Sequence, residues 1–294
     1  MPASQTTVSI RFALPSPELS PFVTAYYCTT LEVSHGGVVE DYLHPEWANI
    51  RFVPAGMSHH AVGGGQLEPT PAFAATGPTS VATRFRMSSG RSWGIGLMPL
   101  GWAKFVEASA RQFADRTVDG AREGAFRHFM PLNEALAVGD TGFDAERALI
   151  EAHMASLLDL PLEEEAKILA VNAALVDKST TTVVELAERA GLTVRTLERL
   201  APRAFGFGPK LLLRRQRFLR SLAHFMLDPS LKWLSAMDYQ YHDQAHFVRD
   251  FRRFMGMTPR AYAALDHPLL SAAARARAAI LGEAVQGLHD PTPH

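Results

Sequence analysis

The spacing of turn-forming residues changes near residue 100, and this change constrains the fold more than any other feature. Before it, Gly and Pro interrupt short β-prone runs at intervals of roughly eight to twelve residues. The predicted strands include residues 8–14, 26–33 and 49–53. Such spacing is typical of an antiparallel sandwich or barrel, and it predicts an all-β domain over residues 1–100.

After residue 100 the apolar residues recur at helical spacing. Trp102, Phe105 and Phe113 begin this pattern, and residues 145–158 continue it with Leu149, Met154 and Leu157 on one stripe. We therefore predict a helical connector over residues 101–162. The stripe is interpreted first as core packing on the β domain, with a dimer seam as the second reading.

Composition excludes several classes of protein. Hydrophobic residues make up 47% of the chain and charged residues 20%, with a mean hydropathy of -0.03, as in globular proteins. No run of eighteen apolar residues occurs, and residues 1–10 lack an export signal, so a cytoplasmic protein without a membrane contact is expected. The single cysteine, Cys28, cannot form an internal disulfide and is expected to be buried.

Opposite charges separate along the chain. Residues 1–165 carry 11 Lys or Arg against 19 Asp or Glu, whereas residues 166–265 carry 16 against 8. An acidic part beside a basic part predicts that the basic part binds a polyanion such as nucleic acid. Solvated helix faces are the alternative reading of the same counts.

The basic segment contains a helix–turn–helix pattern. Thr182 and Glu185 form a predicted capping box at the start of one helix. Gly191 supplies the left-handed turn residue, and Thr193 caps the next helix, in which Leu197 faces inward. Helix, glycine turn and helix together indicate a DNA-binding unit.

A second unit follows. A long helix is predicted from Pro209, and it carries four arginines in seven residues: Arg214, Arg215, Arg217 and Arg220. A short helix is predicted at residues 231–238, and Asp243 is predicted to cap a final helix. One face of that helix carries Phe247, Phe251 and Phe254 for the core, and the other carries Gln244, His246, Arg249 and Arg253.

Residues 183–262 resemble the double helix-turn-helix domain of AraC-type transcription regulators. The resemblance rests on YHDQAHFVRDFRRFMGMTPRAY at residues 241–262 and on LAERAGL at residues 186–192. It implies sequence-specific binding of double-stranded DNA, with two reading helices in successive major grooves. The residues implied to face DNA are Thr193, Val194, Arg195, Glu198 and Arg199 in the first helix and Gln244, Ala245, His246, Arg249 and Arg253 in the second. Arg215, on the connecting helix, is expected to reach only phosphate.

Two positions depart from the family pattern. Gln240 stands where the family usually has a glycine before the second reading helix, so the turn is expected to be rearranged. Ala201 replaces a core aromatic, and Pro202 is expected to kink or end the first reading helix.

The resemblance also sets the predicted architecture. The class is α+β, with a cupin-like β-barrel effector domain at 1–100, the connector at 101–162, the DNA-binding domain at 163–265 and a C-terminal tail at 266–294. The implied partners are DNA, a small-molecule effector at the barrel, a second copy in a homodimer and, as a further candidate, RNA polymerase. No cofactor and no enzymatic activity are predicted.

The alternative is a cupin-type metalloenzyme whose helices serve assembly. His35, His44, His59 and His60, with Glu46, are ligand types for such a metal. Their spacing is unfavourable, because His59 and His60 are adjacent and would point to opposite faces of a strand. We therefore predict no metal site.

Overall fold

The computed structural model describes residues 6–137, 141–228 and 237–289. Its N-terminal part consists of antiparallel strands: β1 Thr6–Ala13, β2 Val23–Val33, β3 Val39–Leu43, β4 Asn49–Phe52, β5 Ser58–Val62, β6 Glu68–Pro69, β7 Phe73–Thr76, β8 Thr83–Met87, β9 Gly90–Leu97 and β10 Thr117–Asp119. The predicted β-rich N-terminal part is therefore confirmed, and its first sheet extends to β10, which lies within the predicted helical connector. Within the described stretches, no helix combines the length and apolar character needed to span a bilayer.

The strands form two sheets instead of one closed barrel. The first has the order β1-β2-β9-β4-β7-β10, and the second has the order β3-β8-β5-β6. Long antiparallel ladders hold the first sheet, with Thr6 opposite Val33 and Val23 opposite Leu97. β2 and β9 lie inside this sheet, and most of their residues are buried, although β2 carries the exposed Glu32 and β9 begins with the half-buried Arg91 and Ser92.

Four helices follow the strands of the first sheet: α1 Pro99–Phe105, α2 Ala110–Phe113, α3 Met130–Leu136 and α4 Phe143–Ser156. α1 contacts β9, and α3 packs on α4. On α4 the Phe143 ring stacks on Trp93 of β9 with ring centroids 5.1 Å apart. Met154 and Leu157 are buried as predicted, but Leu149 is 39% exposed because Ile150 faces the core in its place.

The C-terminal part is helical: α5 Glu165–Val176, α6 Val183–Arg189, α7 Val194–Phe205, α8 Pro209–Leu227, α9 Gln244–Met255, α10 Pro259–Ala263 and α11 Pro268–Leu281. Most of the predicted short helix at 231–238 lies outside the described residues. One apolar core is shared by the two parts and runs from Trp47 and Trp102 to Leu197 and Phe205. A second core, around Phe218, Phe247 and Phe251, is formed almost entirely by the C-terminal helices.

α7 continues through Pro202 to Phe205, so the prediction that the helix ends at Pro202 is wrong. Ala204 and Phe205 follow Pro202 and are both buried, and the Phe205 ring lies edge-on to Trp47 at 5.8 Å. This packing holds the last helical turn, which outweighs the lost backbone hydrogen bond because the bond falls near the helix end.

Candidate nucleic-acid interface and interior cavity

The first helix-turn-helix unit forms as its local signals predict. The Thr182 side chain accepts from the Glu185 amide, and the Glu185 carboxylate accepts from the Thr182 amide. Gly191 adopts φ +65°, the left-handed conformation that links α6 to α7. Thr193 caps α7 by accepting from the Thr196 amide, and Leu197 is fully buried.

The outer face of α7 carries the predicted DNA-facing residues. Thr193, Val194, Arg195, Glu198 and Arg199 are all exposed. Arg199 donates to Glu164 at 3.3 Å, and Arg203 pairs with the same carboxylate. Arg195 has no ion-pair partner among the described residues, so it is the cation of this face that is free to meet a phosphate or a base edge.

The second unit presents a similar face on α9. Asp243 caps the helix by accepting from the His246 amide at 2.6 Å. Phe247, Phe251 and Phe254 are buried as predicted. The residues predicted to face DNA are exposed in four cases, Gln244, Ala245, Arg249 and Arg253, and half-buried in the case of His246.

The His246 side chain contacts α8, the connecting helix. Arg217 donates to its Nε2 at 3.1 Å, and burial together with this cation lowers the pKa of His246. The imidazole is therefore neutral at pH 7 and acts as an acceptor. Arg249 and Arg253 remain as the exposed cations of the predicted DNA-facing set on α9.

Three arginines of α8 form ion pairs with aspartates inside the domain. Asp250, fully buried on α9, accepts from Arg214 at 2.5 Å and from Arg217 at 3.2 Å. Arg220 donates to Asp238 at 2.5 Å. Three of the 16 cations counted in residues 166–265 thus pair with two aspartates inside the fold.

Arg215 was predicted from the sequence to contact a phosphate. It is fully buried, so the expected phosphate contact is wrong. Its Nη1 donates to the carbonyl oxygens of Thr79 at 3.0 Å and Glu46 at 3.3 Å, and its guanidinium lies 3.8 Å from the centroid of the Trp47 ring. Burial lowers the pKa of Arg215 to about 9, so the side chain is still a cation at neutral pH. Arg215 connects α8 to the N-terminal sheets.

The turn before α9 avoids the strain expected for Gln240. Among the described residues other than glycine, positive φ occurs at His35, Asp115 and Glu164, and Gln240 does not share it. Its backbone amide donates to Asp238, its side-chain oxygen accepts from Arg220, and its side-chain nitrogen donates to the Lys178 carbonyl. Side-chain hydrogen bonds therefore hold this turn without a left-handed residue at position 240.

A cavity of about 180 Å³ lies between the two sheets. Its walls come from the first sheet, with Phe12 and Tyr27, and from the second, with Phe85. α11, which lies in the predicted tail, forms the third wall with Leu269, Leu270 and Arg277. This wall was not predicted from the sequence. The sequence signal that could have revealed this wall is the apolar spacing of residues 268–281 after Pro268.

Hydrogen bonds hold residues 286–287 against the wall that the first sheet forms. The Gln286 side chain accepts from Asn49 of β4 at 3.1 Å and donates to Thr24 of β2 at 3.3 Å. Gln216 of α8 donates to the Gly287 carbonyl at 2.7 Å. These bonds fix residues 286–287 against both the first sheet and the connecting helix.

The histidines considered as metal ligands are dispersed. His44 is buried with its Nε2 2.7 Å from the Tyr262 hydroxyl, and His60 contacts Thr70. Burial lowers the pKa of His44 to about 3. Over residues 6–137, 141–228 and 237–289, no three His, Cys, Asp or Glu side chains meet in a ligand cluster.

Comparison with known proteins supports the helical assignment. Residues 186–264 match a family model described as a helix-turn-helix domain. This part of the chain is a helix-turn-helix domain of the kind that AraC-type transcription regulators carry, which confirms the resemblance seen in the sequence. No curated protein matches the chain.

Three solved structures of ToxT from Vibrio cholerae are similar to the chain at low identity. An apo form is 11% identical with a TM-score of 0.38 and covers 88% of this chain and 96% of its own. A second crystal form is 8% identical with a TM-score of 0.40, covering 88% and 97%. A form bound to an unsaturated fatty acid is 11% identical with a TM-score of 0.38, covering 89% and 95%. At these values the similarity assigns no residue of this chain.

Proposed function

We propose that the protein is a transcription regulator that binds double-stranded DNA sequence-specifically through α7 and α9. One observation carries the proposal: both helices are N-capped, pack on α8 and present an exposed polar face. Helices presented in this way enter the major groove with their N-terminal residues against the base edges. The protein is proposed to act in the cytoplasm.

The two reading helices differ in how their cations are used. On α9, Arg249 can donate two parallel hydrogen bonds to guanine O6 and N7, while Arg253 lies one turn further along and reaches phosphate. On α7, Arg195 takes the equivalent role, because Glu164 already engages Arg199. We therefore propose that α9 contributes more base discrimination than α7.

We propose further that the N-terminal part regulates DNA binding in response to a small molecule. The support is the cavity between the sheets and its closure by α11, a helix that follows the second helix-turn-helix unit directly in the chain. In this proposal residues 1–100 hold the effector, residues 163–265 bind DNA, and the connector at 101–162 contributes to a homodimer. RNA polymerase is the proposed partner of the DNA-bound form.

The primary test is selection of bound sequences from a random DNA pool with the full-length protein, followed by mobility-shift titration over a range of salt concentrations. We expect an enriched motif and an affinity whose logarithm decreases with the logarithm of salt by about 0.9 per phosphate contact. An affinity that does not change with salt concentration, or a pool in which no sequence is enriched, overturns the proposal. Sedimentation of the free protein tests the homodimer.

A further inference from the structure

Arg277 is the one cation lining the cavity for which the described residues offer no ion-pair partner. It lies on α11, is 8% exposed, and its guanidinium sits 5.0 Å from the centroid of the Phe12 ring. No carboxylate or carbonyl oxygen of the described chain lies within hydrogen-bonding distance of it. Its five N–H donors are therefore available to a molecule in the cavity.

The other charged groups of the cavity cancel or are neutral. Arg51 donates to Glu46 at 2.5 Å, which pairs those two charges. Burial lowers the pKa of both His44 and His60, so their imidazoles are neutral at pH 7. Burial also lowers the pKa of Arg277, to about 10, yet leaves it charged. The cavity thus carries one uncompensated positive charge.

A lone buried cation is unfavourable unless something compensates for it. Removing a charge from water costs several kcal/mol, and an ion pair with good hydrogen bonds offsets that cost. In this fold the Phe12 ring supplies a cation–π contact, which is weaker than an ion pair. A bound anion would supply the missing partner, and a carboxylate matches the planar guanidinium with two parallel hydrogen bonds.

The size of the cavity and the chemistry of its walls restrict which anions it can bind. The remaining walls are largely apolar, with Ile10, Leu43, Phe85 and Leu269 among them. A cavity of about 150 Å³ lined by apolar side chains is known to accept benzene, so about 180 Å³ accommodates a ring or short chain with one carboxylate. A phosphorylated metabolite would bring more negative charge into the cavity than one uncompensated cation can balance.

We propose that the cavity is a binding site for a small organic monocarboxylate with an apolar body, and that Arg277 of α11 binds its carboxylate. The proposal deepens, and rests on, the effector control proposed above. Nothing in the chain's local sequence marks Arg277, because the site exists only once the C-terminal helix has docked between the sheets.

The position of α11 connects such a ligand to the second reading helix. Asp41 of β3 accepts from the amides of Leu269 and Leu270 at the start of α11. His267 joins the same carboxylate to the Tyr262 carbonyl of α10, which follows α9. A ligand bound to Arg277 therefore contacts a helix whose first turn is hydrogen-bonded, through Asp41 and His267, to the end of the DNA-binding domain.

The test uses full-length protein without DNA and four probes: benzoate and hexanoate, with benzamide and hexanamide as neutral counterparts of the same shape. Thermal melting and titration calorimetry measure binding. We expect at least one carboxylate to raise the melting temperature in a concentration-dependent way and its amide to have little effect. Arg277→Gln should weaken carboxylate binding about tenfold to a hundredfold, as for the loss of a charged hydrogen bond.

Arg275→Gln is the matched control, because Arg275 is exposed on the same helix, and it should bind like the wild type. Arg277→Met guards against a folding defect, since replacing an unpaired buried cation by an apolar side chain should keep or raise the melting temperature of the free protein. Equal binding to Arg277→Gln, equal binding of the amides, or no carboxylate binding up to about 10 mM overturns the proposal. DNA binding by the same samples is scored separately, so a failed ligand site does not count against the regulator.

Discussion

The guanidinium of Arg215 lies 3.8 Å from the centroid of the Trp47 ring, and this contact joins the connecting helix of the DNA-binding domain to the N-terminal sheets. Arg215 also donates to two carbonyl oxygens of the segments around residues 46 and 79. A residue that sequence alone places on a DNA-facing helix is thus part of the core. The two parts of the chain meet directly at this residue.

We expect Arg215→Ala to destabilise the fold instead of removing a phosphate contact. It deletes the packing against Trp47 and leaves the buried Thr79 carbonyl without its donor, so the free energy of unfolding should decrease by about 3 kcal/mol. Urea unfolding followed by circular dichroism measures this. Lys210→Ala, exposed on the same helix, should change it by less than about 0.5 kcal/mol. A stable Arg215→Ala protein with one phosphate contact fewer in its salt dependence would restore the original expectation.

Replacing Arg249 by Ala should weaken binding to the selected DNA site by about 1–3 kcal/mol and relax preference at one or two base pairs. The reason is its exposed position on α9 without an ion-pair partner in the described chain. Selection from a random pool with the variant measures the change in preference. Arg122→Ala removes an exposed arginine of the N-terminal part and should leave the motif intact. An unchanged motif in Arg249→Ala would show that α9 is not the reader.

Two aspartates seven residues apart should differ sharply in their contribution to stability. Asp250 is fully buried and binds two half-buried arginines of α8, so Asp250→Ala leaves both cations without their carboxylate and should cost about 3–5 kcal/mol. Asp243 is an exposed N-cap, so Asp243→Ala should cost about 1 kcal/mol. Chemical denaturation of both variants supplies the comparison. Equal costs would mean that the arginine cluster does not hold α8 against α9.

The buried His44 should make the protein sensitive to acid. Burial and the nearby His267 lower its pKa to about 3, below the value of about 6.5 in an unfolded chain. A lowered folded-state pKa means that the unfolded chain binds the proton more readily, so stability is full above pH 6.5 and is lost progressively as pH decreases towards 3. His44→Gln keeps a polar partner for Tyr262 but does not titrate.

Melting temperatures between pH 4 and 8 test this expectation. The wild-type curve should decline below pH 6.5 more steeply than that of His44→Gln, while His59→Gln, a half-buried histidine of β5, should follow the wild type. Parallel curves for wild type and His44→Gln would refute the role of His44.

The sequence by itself determined the elements that depend on near neighbours. The caps at Thr182, Thr193 and Asp243, the left-handed turn at Gly191 and the buried phenylalanines of α9 all follow from residues within about one or two helical turns. Local hydrogen bonds and helical periodicity leave little freedom at such positions. The identification of the helix-turn-helix segment rests on them.

Only the tertiary structure decided which charges face solvent and where the cavity lies. Arg214, Arg215 and Arg217 have the same chemistry as Arg249, and burial against Trp47 or Asp250 separates their roles. Leu270 of α11 meets Asp41 across more than two hundred residues of chain, so no local pattern could place α11 on the sheets. Such contacts form because docking buries apolar area and satisfies polar groups jointly, a balance that exists only in the assembled fold.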